Sequence, residues 1–256
     1  MNTNLKDKII VVSGGTKGVG SGTALACAQA GAKIVIGGRD EEKARDIIAR
    51  IRENYGHEAL FVKTDLSQVS DCRKLIDTAV ETFGRIDGFV NYAGILPSAS
   101  IVDTQEDMYD EVFNLNMKAA FFCAKYAVAA MLQSGGGSLV FVGSGHAYGG
   151  EEDRAVYSCS KGALLTLVRH LAKNYAKYKI RANWITMGWV ATEGEISMRE
   201  KQGQDMAWLE KSAEKFIPMG RLLTVEDHVP GILYFLSDDS LMVTGTEMQI
   251  TGGFIP

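Results

Sequence analysis

Two side chains one helical turn apart carry the plainest chemistry in this sequence: Tyr157 and Lys161, in the stretch YSCSK. Residues four apart share a helix face, so the phenol and the ammonium project into the same space. A free tyrosine, with a pKa of about 10, is a poor proton carrier at neutral pH. A cation about 5 Å away at an effective dielectric of about 20 favours the phenolate by roughly 3 kcal/mol, or about two pKa units. The spacing suits a tuned general acid/base. An amphipathic helix that merely carries Tyr and Lys one turn apart is as common, and the pair alone leaves the two readings even.

A second pattern stands near the start of the chain. An apolar run passes directly into SGGTKGVG, Ser13–Gly20, and Gly20 opens a helical pattern. Glycines let a backbone approach a pyrophosphate closely, and a helix N-terminus supplies unpaired N–H groups. Gly14, Gly18 and Gly20, with Thr16, Lys17 and Val19 between them, are the candidate cofactor turn. Many glycine-rich turns bind nothing; the strand–turn–helix setting favours a dinucleotide here. The second strand-like run ends in IVIGGRD. An acidic side chain at its tip would accept the ribose 2′-hydroxyl of NAD, and that position is Gly38. Arg39 follows, offering a planar fork suited to phosphate, and Lys17 can approach from the other side. NADP(H) is therefore expected over NAD(H), with Asp40 partly neutralising Arg39. Both cations also read as ordinary surface charges.

The frame for these residues is legible in the hydrophobic pattern. Strand-like runs at Lys8–Val12, Lys33–Ile36, Ala59–Val62, Gly88–Asn91, Ser138–Val142, Ile180–Ile185 and Glu247–Ile250 are mostly solid apolar rather than alternating, as in strands covered on both faces. Helical patterns fall between them at Gly20–Ala30, Glu41–Asn54, Val69–Phe83, Gln105–Leu132 (two helices or one kinked one), Ala155–Ala176 and Val225–Ser237. This alternation predicts repeated βαβ units and a parallel sheet. No linker or repeat divides residues 1–256, so one domain is expected, with an irregular segment at 188–219 left to bind substrate.

Composition excludes several classes. A net charge of −4 with both signs interspersed offers no basic stripe, so no nucleic-acid partner is expected. The cysteines (Cys27, Cys72, Cys123, Cys159) form no C-x-x-C pair, and the histidines (His57, His146, His170, His228) show no metal-ligand spacing, so no metal is expected. The start, MNTNLKDK, has no apolar leader, and the stretch Ala119–Leu132 falls short of a membrane span. A cytoplasmic protein without a membrane partner is expected.

Taken together, these motifs resemble the short-chain dehydrogenase/reductase family, along essentially the whole chain. The glycine order G-x-x-x-G-x-G matches, with Ser13 where that family commonly has Thr. TDLS, Thr64–Ser67, resembles the adenine-contacting stretch, which implies a role for Asp65 and Leu66; Asp65 and Ser67 also read as a helix cap. NYAG, Asn91–Gly94, is similar to the family's NNAG, where Asn91, Ala93 and Gly94 leave room for the adenosine ribose. Ser144, ending VFVGSG, lies 13 residues before Tyr157, as the family's catalytic serine does, and this decides in favour of catalysis. The resemblance implies that Ser144 stabilises charge on the substrate oxygen, that Lys161 also holds the nicotinamide ribose, and that Asn116, in NLNMKAAF, supports a water-mediated proton path. After the sixth strand, Met187–Gly188 stands where the family carries Pro-Gly, which loosens the turn; Gly188, Val190 and Thr192 remain candidates for the nicotinamide.

The fold implied is an α/β, Rossmann-type, doubly wound parallel sheet with ligands at the carboxyl ends of the strands. The activity implied is hydride transfer between NAD(P)(H) and a small-molecule carbonyl or alcohol, with a homotetramer as the expected assembly. A catalytically silent dinucleotide sensor is the alternative, disfavoured by the intact Ser144, Tyr157, Lys161 and Asn116. Epimerases and dehydratases on similar scaffolds carry an added substrate region. The residues around the site (His146, Tyr148, Glu151, Glu152, Arg154, Trp189, Glu193, Glu195, Trp208) suggest a polar substrate such as a sugar or polyol derivative.

Overall fold

The computed structural model describes residues 4–254. Its elements, in chain order, are β1 Ile9–Ser13, α1 Gly18–Gln29, β2 Lys33–Gly38, α2 Glu41–Tyr55, β3 Ala59–Lys63, α3 Val69–Phe83, β4 Gly88–Asn91, α4 Glu106–Phe113, α5 Ala119–Ser134, β5 Gly137–Ser144, α6 Ala155–Tyr175, β6 Ile180–Met187, α7 Glu193–Lys201, α8 Met206–Phe216, α9 Val225–Leu236 and β7 Glu247–Ile250. The seven strands form one sheet in the order β3-β2-β1-β4-β5-β6-β7, every pair parallel. This is the doubly wound, Rossmann-type arrangement, with the order reversing beside β1.

Successive side chains of a strand point to opposite faces, and the core divides accordingly. Val11, Val35, Phe89, Leu139 and Phe141 enter one layer with α3, α5 and α6. Ile10, Val12, Ile34, Ile36, Val90, Val140 and Val142 enter the other, under α1, α2 and α9. Both faces are apolar, so the strands read as unbroken hydrophobic runs. A third, smaller cluster around Val190, Leu209, Ala213, Ile217 and Leu223 holds α7 and α8 over the carboxyl ends of the strands.

The element boundaries depart from the sequence reading in informative places. The first helix opens at Gly18 rather than Gly20. β6 runs on to Met187, which registers with Ser144 of β5 and Ile250 of β7. A proline at 187 would remove a ladder donor; with methionine the strand continues to the edge of the site. Ser67 does not cap α3: Gln68 holds that position, and the Asp71 carboxylate instead accepts the Asp65 N–H at 2.7 Å.

The long pattern at 105–132 is one helical run interrupted by a π-turn, Asn114–Lys118. The helical run 106–134 is long enough, and in one 18-residue window apolar enough at a mean hydropathy of 1.2, to cross a membrane by length and composition alone. Here its apolar stripe (Ala120, Cys123, Ala124, Ala127, Met131) is buried in the core layer shared with α3 and β5. The irregular segment after β6 resolves into α7 and α8. Ser13 Oγ donates to Asn91 Oδ1 at 3.1 Å, tying the ends of β1 and β4, and the Tyr92 hydroxyl pairs with Thr23 Oγ1 of α1 at 2.6 Å.

Candidate active site

β5 carries Ser144 as its last residue, in extended backbone, and its Oγ accepts the His146 N–H at 3.3 Å. α6 opens at Ala155 and presents Tyr157 and Lys161 one turn apart. Ser144 and Tyr157 line one cavity, and the Ser144 hydroxyl is near enough to the Tyr157 phenol to favour its ionised form. Lys161 Nζ lies 5.5 Å from the centroid of the Tyr157 ring and donates to the Val142 carbonyl at 3.4 Å. The three side chains predicted to act together are therefore together.

Their electrostatics differ from the expectation of a phenol acidified by its lysine. Burial pushes the Tyr157 phenol up to about 12, against the opposing effects of the Ser144 hydrogen bond and the Arg154 cation. Burial likewise pushes the Lys161 ammonium down to about 8. Desolvation penalises the charged form of each group, and the cation over the ring face does not outweigh it. The protein alone holds a neutral phenol, less acidic than a free tyrosine, and an amine close to its own titration point.

Asn116 sits inside the π-turn, fully buried. Its Oδ1 accepts the Ile95 N–H at 2.8 Å, while Nδ2 donates to the Ile95 carbonyl at 3.0 Å and to Ser160 Oγ at 3.1 Å. The side chain thus pins the loop after β4 to α6. A side chain on Gly94 would come 3.0 Å from Asn116 Oδ1 and 3.8 Å from Lys161 Nζ, so glycine is what lets these groups converge. The π-turn is the structural reason for a mid-helix asparagine; such bulges recur at functional sites.

The glycine turn is a concave, donor-rich cradle. Gly14 and Gly18 adopt left-handed φ angles of 71° and 52°, and a Cβ on Gly20 would collide with the Gly14 carbonyl oxygen. The first turn of α1 has neither a side-chain cap nor an acidic residue, which leaves its N–H groups for an anion. Thr16 is buried against Gly38 at the tip of β2, and Ala93 lies against Gly14. Thr64 Oγ1 and Asn91 Nδ2, at the ends of β3 and β4, are buried without a protein partner among the described residues.

Other predicted positions serve the frame as much as the cleft. The Val19 and Leu66 side chains pack in the core, and exposed Asp65 accepts the Ser67 N–H and hydroxyl at 3.1 and 2.8 Å. Gly188 is held by its N–H on the Ile250 carbonyl at 2.9 Å, and Val190 bridges to Leu223. Thr192 caps α7, accepting the Glu195 N–H at 3.2 Å, and its methyl group faces Gly18. Asp40 turns to Lys17 at 3.1 Å and accepts the Lys43 N–H at 3.2 Å, rather than pairing with Arg39. Arg39 is exposed and makes no ion pair among the described residues.

Ser144 and Tyr157 open into a cavity of about 360 Å³ whose walls include His146, Arg154, Trp189 and Trp208. Three residues named from sequence lie elsewhere. Glu193, nearly fully exposed, pairs with Lys43 at 3.2 Å; Tyr148 donates to Glu247 at 2.6 Å; Glu152 points to solvent. Arg199 lines the cavity and was missed, although its i, i+4 spacing from Glu195 was a readable signal. Leu96, Met198, Phe216 and Phe254 also line it, from loops and helix faces with no motif to mark them.

Known proteins agree with this architecture. A family profile described as Enoyl-(Acyl carrier protein) reductase matches residues 14–255. An uncharacterized oxidoreductase of Thermotoga maritima is 37% identical over 250 residues, covering 98% of both chains. The L-rhamnose 1-dehydrogenase (NAD(P)(+)) of Azotobacter vinelandii is 32% identical over 253 residues, covering 97% of both. The chain is a short-chain dehydrogenase/reductase. L-Sorbose reductase from Gluconobacter frateurii, solved with NADPH and L-sorbose, superposes with a TM-score of 0.96 over 100% of this chain and 99% of that one; at 23% identity the likeness is one of fold. As a member of this family the protein is an NAD(P)-dependent oxidoreductase acting between CH–OH and C=O.

The residues present fit a dinucleotide. The uncapped α1 terminus and the glycine cradle suit a pyrophosphate, and the unpartnered Thr64 and Asn91 atoms lie along the same edge of the sheet. When bound, the nicotinamide supplies or accepts the hydride.

Lys161 gives this dehydrogenase/reductase a distinctive pH signature. Between pH 8 and 10.5 the folded protein has lost a proton that the unfolded chain still binds, so this group makes stability rise with pH across that window. The wild-type stability relative to Lys161→Met should climb by about 3 kcal/mol from pH 8 to 10.5, measured by denaturant unfolding. A constant difference would show that the ammonium is not desolvated.

Proposed function

We propose that this enzyme interconverts a hydroxyl and a carbonyl on a polar sugar or polyol derivative, with Tyr157 as acid/base and NADP(H) as the preferred dinucleotide. The observation that carries the reading is the Ser144–Tyr157–Lys161 set, Lys161 buried and the other two half-buried, opening into a cavity whose largely apolar and aromatic walls carry Glu151, Arg154, Glu195 and Arg199. In the reducing direction the Tyr157 phenol gives its proton to the substrate oxygen while the Ser144 hydroxyl hydrogen-bonds the same oxygen. The phenolate left behind is stabilised by Lys161, which must then carry its proton. Asn116 keeps the loop after β4 and α6 in register around them. The whole chain acts as one domain, with 188–219 shaping the substrate end. The rhamnose-oxidising relative supports the substrate class.

Cofactor preference rests on β2. Gly38 places no carboxylate at the strand tip, and Asp40, its carboxyl held below the usual range by the Lys43 N–H and by Lys17, leaves Arg39 without a competing anion. We further propose a homotetramer, because Tyr109 and Phe121 on α4–α5 and Leu241 and Met242 near the chain end are exposed apolar surface in two separate places. Ile255 and Pro256, part of that apolar end, lie outside the described residues. Four free cysteines, one of them exposed, suit a reducing, cytoplasmic setting.

Tyr157→Phe should lower kcat by about a hundredfold or more on any accepted sugar or polyol. Dinucleotide affinity, read by fluorescence, should change little; wild-type turnover in the variant would remove Tyr157 from the chemistry. Arg39→Ala should cut kcat/KM at least about tenfold with NADP and hardly at all with NAD. Equal losses with both would show that the guanidinium does not read the 2′-phosphate. Light scattering should return about four chain masses, and a value near 27.8 kDa would exclude the tetramer.

A further inference from the structure

α7 and α8 carry a cluster that proton transfer does not use. Trp189 donates its indole N–H to Glu195 Oε1 at 2.7 Å, and Arg199 donates Nε to the same oxygen at 2.8 Å and Nη1 to Gln204 Oε1 at 3.3 Å. The Arg199 guanidinium lies 5.3 Å from the Trp189 ring and 5.6 Å from the Trp208 ring, and the two indoles meet edge to face at 6.3 Å. Trp189, Glu195, Arg199 and Trp208 all line the cavity into which Ser144 and Tyr157 open. The indoles therefore hold the guanidinium rather than standing free for a substrate ring to stack on. A charged pair fixed this way loses little side-chain freedom when a ligand arrives.

Each partner keeps unused capacity. Glu195 Oε2 and Arg199 Nη2 have no protein partner among the described residues, leaving an acceptor and a donor side by side. Two adjacent hydroxyls match that arrangement: one donates to the carboxylate, the other accepts from the guanidinium. The charged side chains lining the cavity are Glu151, Arg154, Glu195 and Arg199, so its formal charge is balanced. His146, its pKa lowered by burial, adds no cation at neutral pH. An anionic substrate meets as much repulsion as attraction here, and a neutral polyhydroxyl compound does not.

We infer that Glu195 and Arg199, seated on Trp189 and Trp208, form a specificity subsite that reads a vicinal diol of a neutral substrate, away from the reacting carbon. This rests on the sugar or polyol reading above. The test compares wild type, Arg199→Lys and Glu195→Gln on a sugar or polyol that wild type turns over, and on its deoxy analogues lacking one hydroxyl each. Both variants should raise KM about tenfold or more, with kcat within about threefold and dinucleotide affinity unchanged. The analogue lacking the hydroxyl that Glu195 reads should show the same rise in wild type and no further rise in Glu195→Gln, and the analogue lacking its neighbour should do the same with Arg199→Lys. Losses that multiply for every analogue, a fall in kcat without a change in KM, or a preference for the matching sugar acid would overturn the subsite alone. A wild type that turns over only apolar ketones would overturn the substrate reading and the subsite with it.

Discussion

A parallel sheet covered on both faces gathers its chemistry at one edge. Helices bury the two faces, so the places where backbone and polar side chains escape the core are the strand ends, and in a parallel sheet all the carboxyl ends lie together. Ser13, Gly38, Asn91, Ser144 and Met187 each close a strand, and their registers hold those ends in line. Residues more than a hundred positions apart in sequence thereby share one cleft. The loops gain freedom of sequence, while the ladder fixes where each begins.

The same edge is where burial becomes electrostatics. Tyr157 and Lys161 are desolvated in the same place, which favours a neutral phenol and weakens the hold of the amine on its proton. In water the four-residue spacing would acidify the phenol through simple attraction, but removing hydration costs each charged form more than that attraction returns.

Close approach is the second constraint on the site. Gly20 beneath Gly14, and Gly94 between Asn116 and Lys161, are positions where a side chain would occupy the space that polar groups need. The π-turn does comparable work within a helix: it turns Asn116 onto the backbone of Ile95, tying the loop after β4 to α6. Across the cleft, Thr192 caps α7 and sets its methyl group close to Gly18 of the glycine turn.

The sequence by itself determined the elements and marked the candidate site residues. Unbroken apolar runs separated by helical periods specify buried parallel strands, because each residue's burial there depends on a short local pattern. Tyr157 with Lys161, the glycine turn, and Ser144 at a strand end were legible for the same local reason. Tertiary structure decided what depends on distant neighbours. The direction of the Tyr157 and Lys161 shifts follows from burial, which spacing does not reveal. Asp40 turned to Lys17 rather than to its neighbour Arg39, Glu193 left the cavity for Lys43, and Arg199 entered it between two indoles. β6 ran on through Met187 because β5 and β7 offered it partners on both sides. Side-chain direction on α7 and α8 is set by what packs beneath them, and that packing exists only once the sheet has formed.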